Sequence, residues 1–106
     1  MKDTNKLVEQ ALDEMAKIGI IGGLKITVNS NDHGKPHFHY GDYKIYIPDK
    51  MPKNITELQK YVDDKHSIIN GAELQDLLSF LKERNTKRRE LTNLAAIDYA
   101  WSILHD

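Results

Sequence analysis

His37-Phe-His-Tyr-Gly-Asp-Tyr-Lys-Ile-Tyr-Ile47 is the stretch that decides the fold. Two β-prone runs, His37 to Tyr40 and Tyr43 to Ile47, flank Gly41-Asp42. A glycine followed by aspartate between such runs signals a two-residue hairpin turn. That turn sets the register: Tyr40 faces Tyr43, His39 faces Lys44, Phe38 faces Ile45 and His37 faces Tyr46. Side chains alternate along a strand, so Phe38, Tyr40, Tyr43, Ile45 and Ile47 form an apolar face. His37, His39, Lys44 and Tyr46 form a polar one. A slip of one residue would mix the two sets, which favours this register.

Upstream, Leu24, Ile26 and Val28 alternate with Lys25, Thr27 and Asn29, the pattern of a half-buried strand. If its apolar side joins the same core, Lys25 and Thr27 join the polar face. A polar loop from Ser30 to Pro36 connects it to the hairpin. Further back, Leu7, Val8, Ala11, Leu12, Met15 and Ile18 recur at helical spacing behind Asp3 or Thr4, with Gly19 as a stop. Gly22-Gly23 then punctuates the chain before the period changes to 2.

Downstream, Pro48 and Pro52 end the strand region, because proline cannot donate to a central ladder. Asn54 with Glu57, and Asn70 with Glu73, have capping-box spacing. The first pair opens a short helix bearing Ile55, Leu58 and Val62. The second opens a helix bearing Leu74, Leu77, Leu78 and Leu81. A last helix is expected from about Thr86, with Leu91, Leu94, Ile97, Trp101 and Leu104 on one face. The expected fold is α+β: a small three-stranded antiparallel sheet with an N-terminal helix and a helical C-terminal half, as a single domain over residues 1–106.

Composition narrows the chemistry. At 40% hydrophobic and 29% charged residues, the chain belongs with ordinary globular proteins. It has no cysteine, which excludes disulfides, thiolate zinc sites, iron–sulfur clusters and cysteine nucleophiles. This fits a cytoplasmic protein. Asp3, Glu9, Asp13 and Glu14 make the N-terminus unlike a signal or transit peptide, and no apolar run is long enough to span a bilayer. A net charge of −1 gives no general attraction to polyanions.

Function therefore falls to the polar face and the loop that feeds it. Two imidazoles, Lys44, Tyr46, Lys25 and His33 all offer hydrogen-bond donors to phosphate or carboxylate oxygens. On this basis the favoured expectation is a small ligand-binding protein that takes an anionic, phosphate- or nucleotide-like ligand through His33, His37, His39, Lys44, Tyr46 and Lys25. His37 and His39 are the candidate acid–base residues if a reaction is catalysed. The alternative is a metal-dependent hydrolase or nuclease, with His33, His37 and His39 as imidazole ligands and Asp32 as ligand or orienter of a divalent transition metal such as zinc. A third is a regulatory or anti-defence protein acting through a protein interface. The bland alternative is a solvated sheet face, the common fate of one side of an antiparallel sheet.

Lys82, Arg84, Lys87, Arg88 and Arg89 cluster at the expected junction of the last two helices. Nucleic acid could be met through Arg84, Lys87, Arg88 and Arg89, but Glu83 and Glu90 offset the charge and a solvated junction is favoured. His66 and His105 read as loop and tail residues, and Trp101 belongs to the core-facing stripe.

The run Asp32-His33-Gly34-Lys35-Pro36-His37-Phe38-His39 resembles the signature of domain-of-unknown-function family 4160, whose members show Asp-His-x-Pro-Pro-His-x-His after a short strand, followed by a hairpin and a helical tail. The resemblance runs mainly from Leu24 to Ile47 and departs at Lys35, where the family usually has proline. It implies a small cytoplasmic protein of prokaryotic or phage origin with this loop and hairpin as the shared feature. It implies no activity.

Overall fold

Strands β1 (Met15–Ile21), β2 (Leu24–Asn29), β3 (His37–Tyr40) and β4 (Tyr43–Tyr46) are followed by helix α1 (Ile55–Gln59), strand β5 (Val62–Asp63) and helices α2 (Gly71–Lys82) and α3 (Asn93–Leu104). The computed structural model describes residues 15–65 and 68–105. The α+β class stands, but among the described residues the sheet has five strands rather than three, antiparallel and in the order β1-β2-β3-β4-β5. Among the described residues no helix is long and apolar enough to cross a membrane.

The β3–β4 hairpin has the register read from Gly41-Asp42, with His37 opposite Tyr46 and His39 opposite Lys44. Gly41 supplies the positive φ (58°) that the turn needs. Gly22-Gly23 is a second such turn, at φ 53° and 85°, and it folds β1 back onto β2. Met15 and Ile18 thus lie in a strand, not at the end of a helix; the remainder of the expected N-terminal helix, with its cap at Asp3 or Thr4, falls outside the described residues, as does His66.

Two features hid β1. Ile18 is an extra residue between the pairs Lys17–Thr27 and Gly19–Ile26, so the strand breaks its own alternation. Gly19 is no helix stop either. It lets Phe80 of α2 approach so closely that a Cβ there would lie 2.7 Å from the ring.

Asn54 caps α1 and Asn70 opens α2 with a complete capping box, in which Glu73 N–H donates to Asn70 Oδ1 (2.8 Å) and Asn70 N–H to Glu73 Oε1 (3.2 Å). Val62 is not helical: α1 ends at Gln59, and Val62 and Asp63 pair with Ile45 and Lys44 as an edge strand. The strand region therefore resumes beyond Pro48 and Pro52. The last helix begins at Asn93, not Thr86. Asn85 captures the intervening chain instead, its Oδ1 accepting from the N–H groups of Lys87 (3.1 Å) and Arg88 (2.8 Å), and Thr92 caps α3 through Ala95 N–H. Asparagine competes with the helical ladder in this way through short side-chain-to-backbone bonds. Leu91 consequently precedes the helix.

Ile26, Val28, Phe38, Tyr40 and Ile45 form one core with Leu58 and with Leu74, Leu77, Leu78 and Leu81 of α2. The other side of the sheet is not simply wet. Thr27 and His37, both on the polar face, are buried, and α3 packs against β2 and β1.

Candidate metal centre

The turn after β2 places Asp32 beside β3. Asp32 N–H donates to Asn29 O (3.4 Å), Gly34 takes a positive φ of 89°, and Ile47 N–H donates to Pro36 O (3.1 Å) as the chain enters β3. His37 and His39, two apart on an extended strand, present their rings to the same side.

Those rings and the carboxylate meet at one atom. His39 Nε2 lies 2.9 Å from Asp32 Oδ2 and His37 Nε2 lies 3.2 Å from the same oxygen. All three donors fall within 4.8 Å of one another. The His37 side chain is 4% exposed, whereas those of His39 and Asp32 are 25% and 24% exposed. The cluster is closed behind His37 and opens past His39.

A further contact orients His37. Its Nδ1–H donates to Lys35 O at 2.9 Å, because a carbonyl can only accept. In the singly protonated ring, Nε2 then carries the lone pair and faces a carboxylate oxygen. Two electron-rich atoms at 3.2 Å are tolerable only with a cation between them, a second proton or a metal ion. A histidine whose outer ring nitrogen is bound to a backbone carbonyl is the usual arrangement of an imidazole metal ligand. With bonds of ~2.1 Å, two donors on one ion stand roughly 3.4 Å apart in a tetrahedron and roughly 3.0 Å apart at a right angle; the 3.2 Å pair lies between these and the 2.9 Å pair just below them. Two imidazoles and one carboxylate suit zinc, ferrous iron and other borderline divalent ions.

The structure leaves His33 out of this cluster, as an exposed loop residue. Asp32 takes the third place that the three-histidine reading gave to His33. Lys25 is exposed on β2 opposite Ile20, toward the Gly41 turn and away from the Asp32 end. Lys44 and Tyr46 do share the histidine face: the Tyr46 ring stands edge-on to His37 (6.3 Å), and Lys44 Nζ lies 5.4 Å from its centroid. The Tyr46 hydroxyl donates to Asp63 Oδ2 at 3.4 Å. The N–H of Lys65 bonded to Asp63 holds that carboxyl below its usual range, with the charges of Lys65 and Lys44 assisting. Of the basic loop, Arg84 donates to Glu90 O and Arg88 pairs with Glu90 (3.6 Å) and lies over Tyr99 (4.7 Å).

Two residues from the far end of the chain complete the surroundings, and no local pattern announced them. Trp101, buried on α3, packs its ring 5.3 Å from that of His37. His105 donates from Nδ1 to Trp101 O (3.0 Å) and from Nε2 to Asp32 O (2.8 Å). Both acceptors are carbonyls, so the ring can only donate to them, and it ties the end of α3 to the turn that carries Asp32.

No protein-family model, curated protein or solved structure matches the chain.

Proposed function

We propose that this domain is a divalent-metal protein, with one ion held by Asp32, His37 and His39. The observation that carries the proposal is the convergence of both Nε2 atoms on the single Asp32 Oδ2, with the His37 tautomer set by Lys35 O. Three protein ligands leave at least one position free, and an ion so held polarises a bound water or substrate oxygen, the chemistry of metal-assisted hydrolysis. Partial exposure at His39 and Asp32 supplies the access such a position needs.

Chelator-treated protein, dialysed and titrated with Zn²⁺ or Co²⁺ by calorimetry and native mass spectrometry, is expected to take up one ion per chain. Asp32→Ala, His37→Ala and His39→Ala should each weaken uptake by more than about 100-fold, beyond the range seen for residues that merely support a ligand. His33→Ala should leave it unchanged. Absence of stoichiometric uptake, or wild-type affinity in the three ligand variants, would overturn the proposal.

A further inference from the structure

The surroundings of the cluster indicate what the free position takes. Because His37 is closed off, that position must open on the side of His39 and Asp32. Lys44 is the direct cross-strand partner of His39 and stands on the same side of the sheet. A second ammonium joins it: Lys35 Nζ lies 5.1 Å from the Tyr46 centroid and Lys44 Nζ 5.4 Å from the same point. The ring that gathers both lysines is the one edge-on to the ligand His37. Attraction between an ammonium and an aromatic face holds such groups in place at modest cost. Asp63, opposite Lys44 on β5, accepts from Tyr46 and Lys65 and feels the Lys44 charge. Among the described residues neither Lys35 nor Lys44 forms an ion pair within 4.0 Å.

The charge count then selects a ligand class. A divalent ion bound by one carboxylate and two neutral imidazoles keeps a net charge of one, and the two lysines add two more. The ionised Asp63 carboxylate facing Lys44 takes one away, and the two positive charges that remain beside the open side match a dianion with several oxygens better than a singly charged carboxylate with two. Resting on the metal-centre reading, we propose that the free coordination position binds a phosphoryl group, with Lys35 and Lys44 as its counter-ions.

The test uses the full chain loaded with Co²⁺, whose visible absorption reports a change of ligand at the ion. Inorganic phosphate and methyl phosphate are titrated into wild type and into a Lys35→Ala/Lys44→Ala double variant, with acetate as comparison. Phosphate should perturb the spectrum of the wild type and bind it more tightly than acetate. In the double variant the dissociation constant should rise roughly tenfold, the scale of two partly exposed charge contacts, with Co²⁺ uptake still one per chain. Added salt should weaken binding to the wild type more than to the variant. Uptake of Co²⁺ with equal phosphate affinity in the two proteins, or with acetate preferred, would overturn the phosphoryl proposal alone. Failure to take up Co²⁺ at all would overturn the centre, and the phosphoryl proposal with it.

Discussion

His105 stacks on Trp101, with ring centroids 3.6 Å apart and planes 16° from parallel. This pair joins the C-terminal turn of α3 to two of the proposed ligands, Trp101 packing on His37 and His105 holding the Asp32 carbonyl. His105→Ala should therefore weaken Zn²⁺ or Co²⁺ binding about 10-fold, the lower end of the effect of removing a group that orients a ligand. Competition with a chromophoric chelator measures this. Trp101 is the single tryptophan of the chain, so its fluorescence should change on Co²⁺ addition and provide a second readout. Unaltered affinity in the variant would show that the stack supports α3 only.

Gly19 has no room for a side chain against Phe80. Gly19→Ala would place a Cβ 2.7 Å from ring carbons Cε1 and Cζ, and overpacking of this kind costs about 1–3 kcal/mol. Chemical denaturation should show that loss. Adding Phe80→Leu should recover part of it, since the obstruction is one side chain rather than backbone.

Asn85 and Asn93 form a buried polar knot between the end of α2 and the start of α3. Asn85 Nδ2 donates to Asn93 Oδ1 (3.0 Å), and Asn93 Nδ2 donates to Phe80 O (2.8 Å). Asn93→Ala strands one amide hydrogen of Asn85 and removes one of two bonds to the Phe80 carbonyl, which keeps the Glu83 N–H, so a loss of about 1–3 kcal/mol is expected. Because the two residues share one network, the double variant with Asn85→Ala should cost less than the sum of the single changes.

The Tyr43 hydroxyl donates to Glu73 Oε1 at 2.7 Å, and this bond is the main reason its ionisation is raised above the ordinary tyrosine value; burial and the Glu73 charge add to it. The folded state thus favours the neutral phenol. That contribution to stability is fully present below the unfolded value of about 10 and is lost as pH rises through the folded one. Glu73→Gln should bring the Tyr43 titration back toward the ordinary value and lessen the loss of stability in alkali, as followed by phenolate absorbance and by unfolding at matched pH. Tyr40, also raised, mainly by burial and then by Glu73, should shift less.

Local signals served well where one short segment determines its own geometry. Gly41-Asp42 gave the hairpin register, and Asn54 and Asn70 marked the two helix starts, because turn and cap chemistry acts within four residues. The same logic misled at β1. There a bulge at Ile18 and a glycine kept small for Phe80 break the period of 2, and apolar residues 15, 18 and 21 also suit a helix. β5, two residues long, is too short to have a period. At the site, the pair His37 and His39 was legible from strand alternation. The choice of Asp32 over His33 was not, because it depends on how the turn at Gly34 directs two neighbouring side chains. The part played by His105 was least visible, since it rests on a contact spanning 73 positions.

That contact also bears on the order in which the molecule assembles. Four strands fold as successive neighbours, β1 on β2, β2 on β3 and β3 on β4, and the three proposed donors lie within residues 32–39. Such short-range closures cost little chain entropy and form early, whereas joining distant segments comes at greater cost and later. The donor set thus belongs to the fast-forming part of the chain, and the histidine that secures Asp32 belongs to the last segment to arrive. On the proposed metal-centre reading, an ion would meet its donors on the hairpin arm before Trp101 of α3 packs against His37.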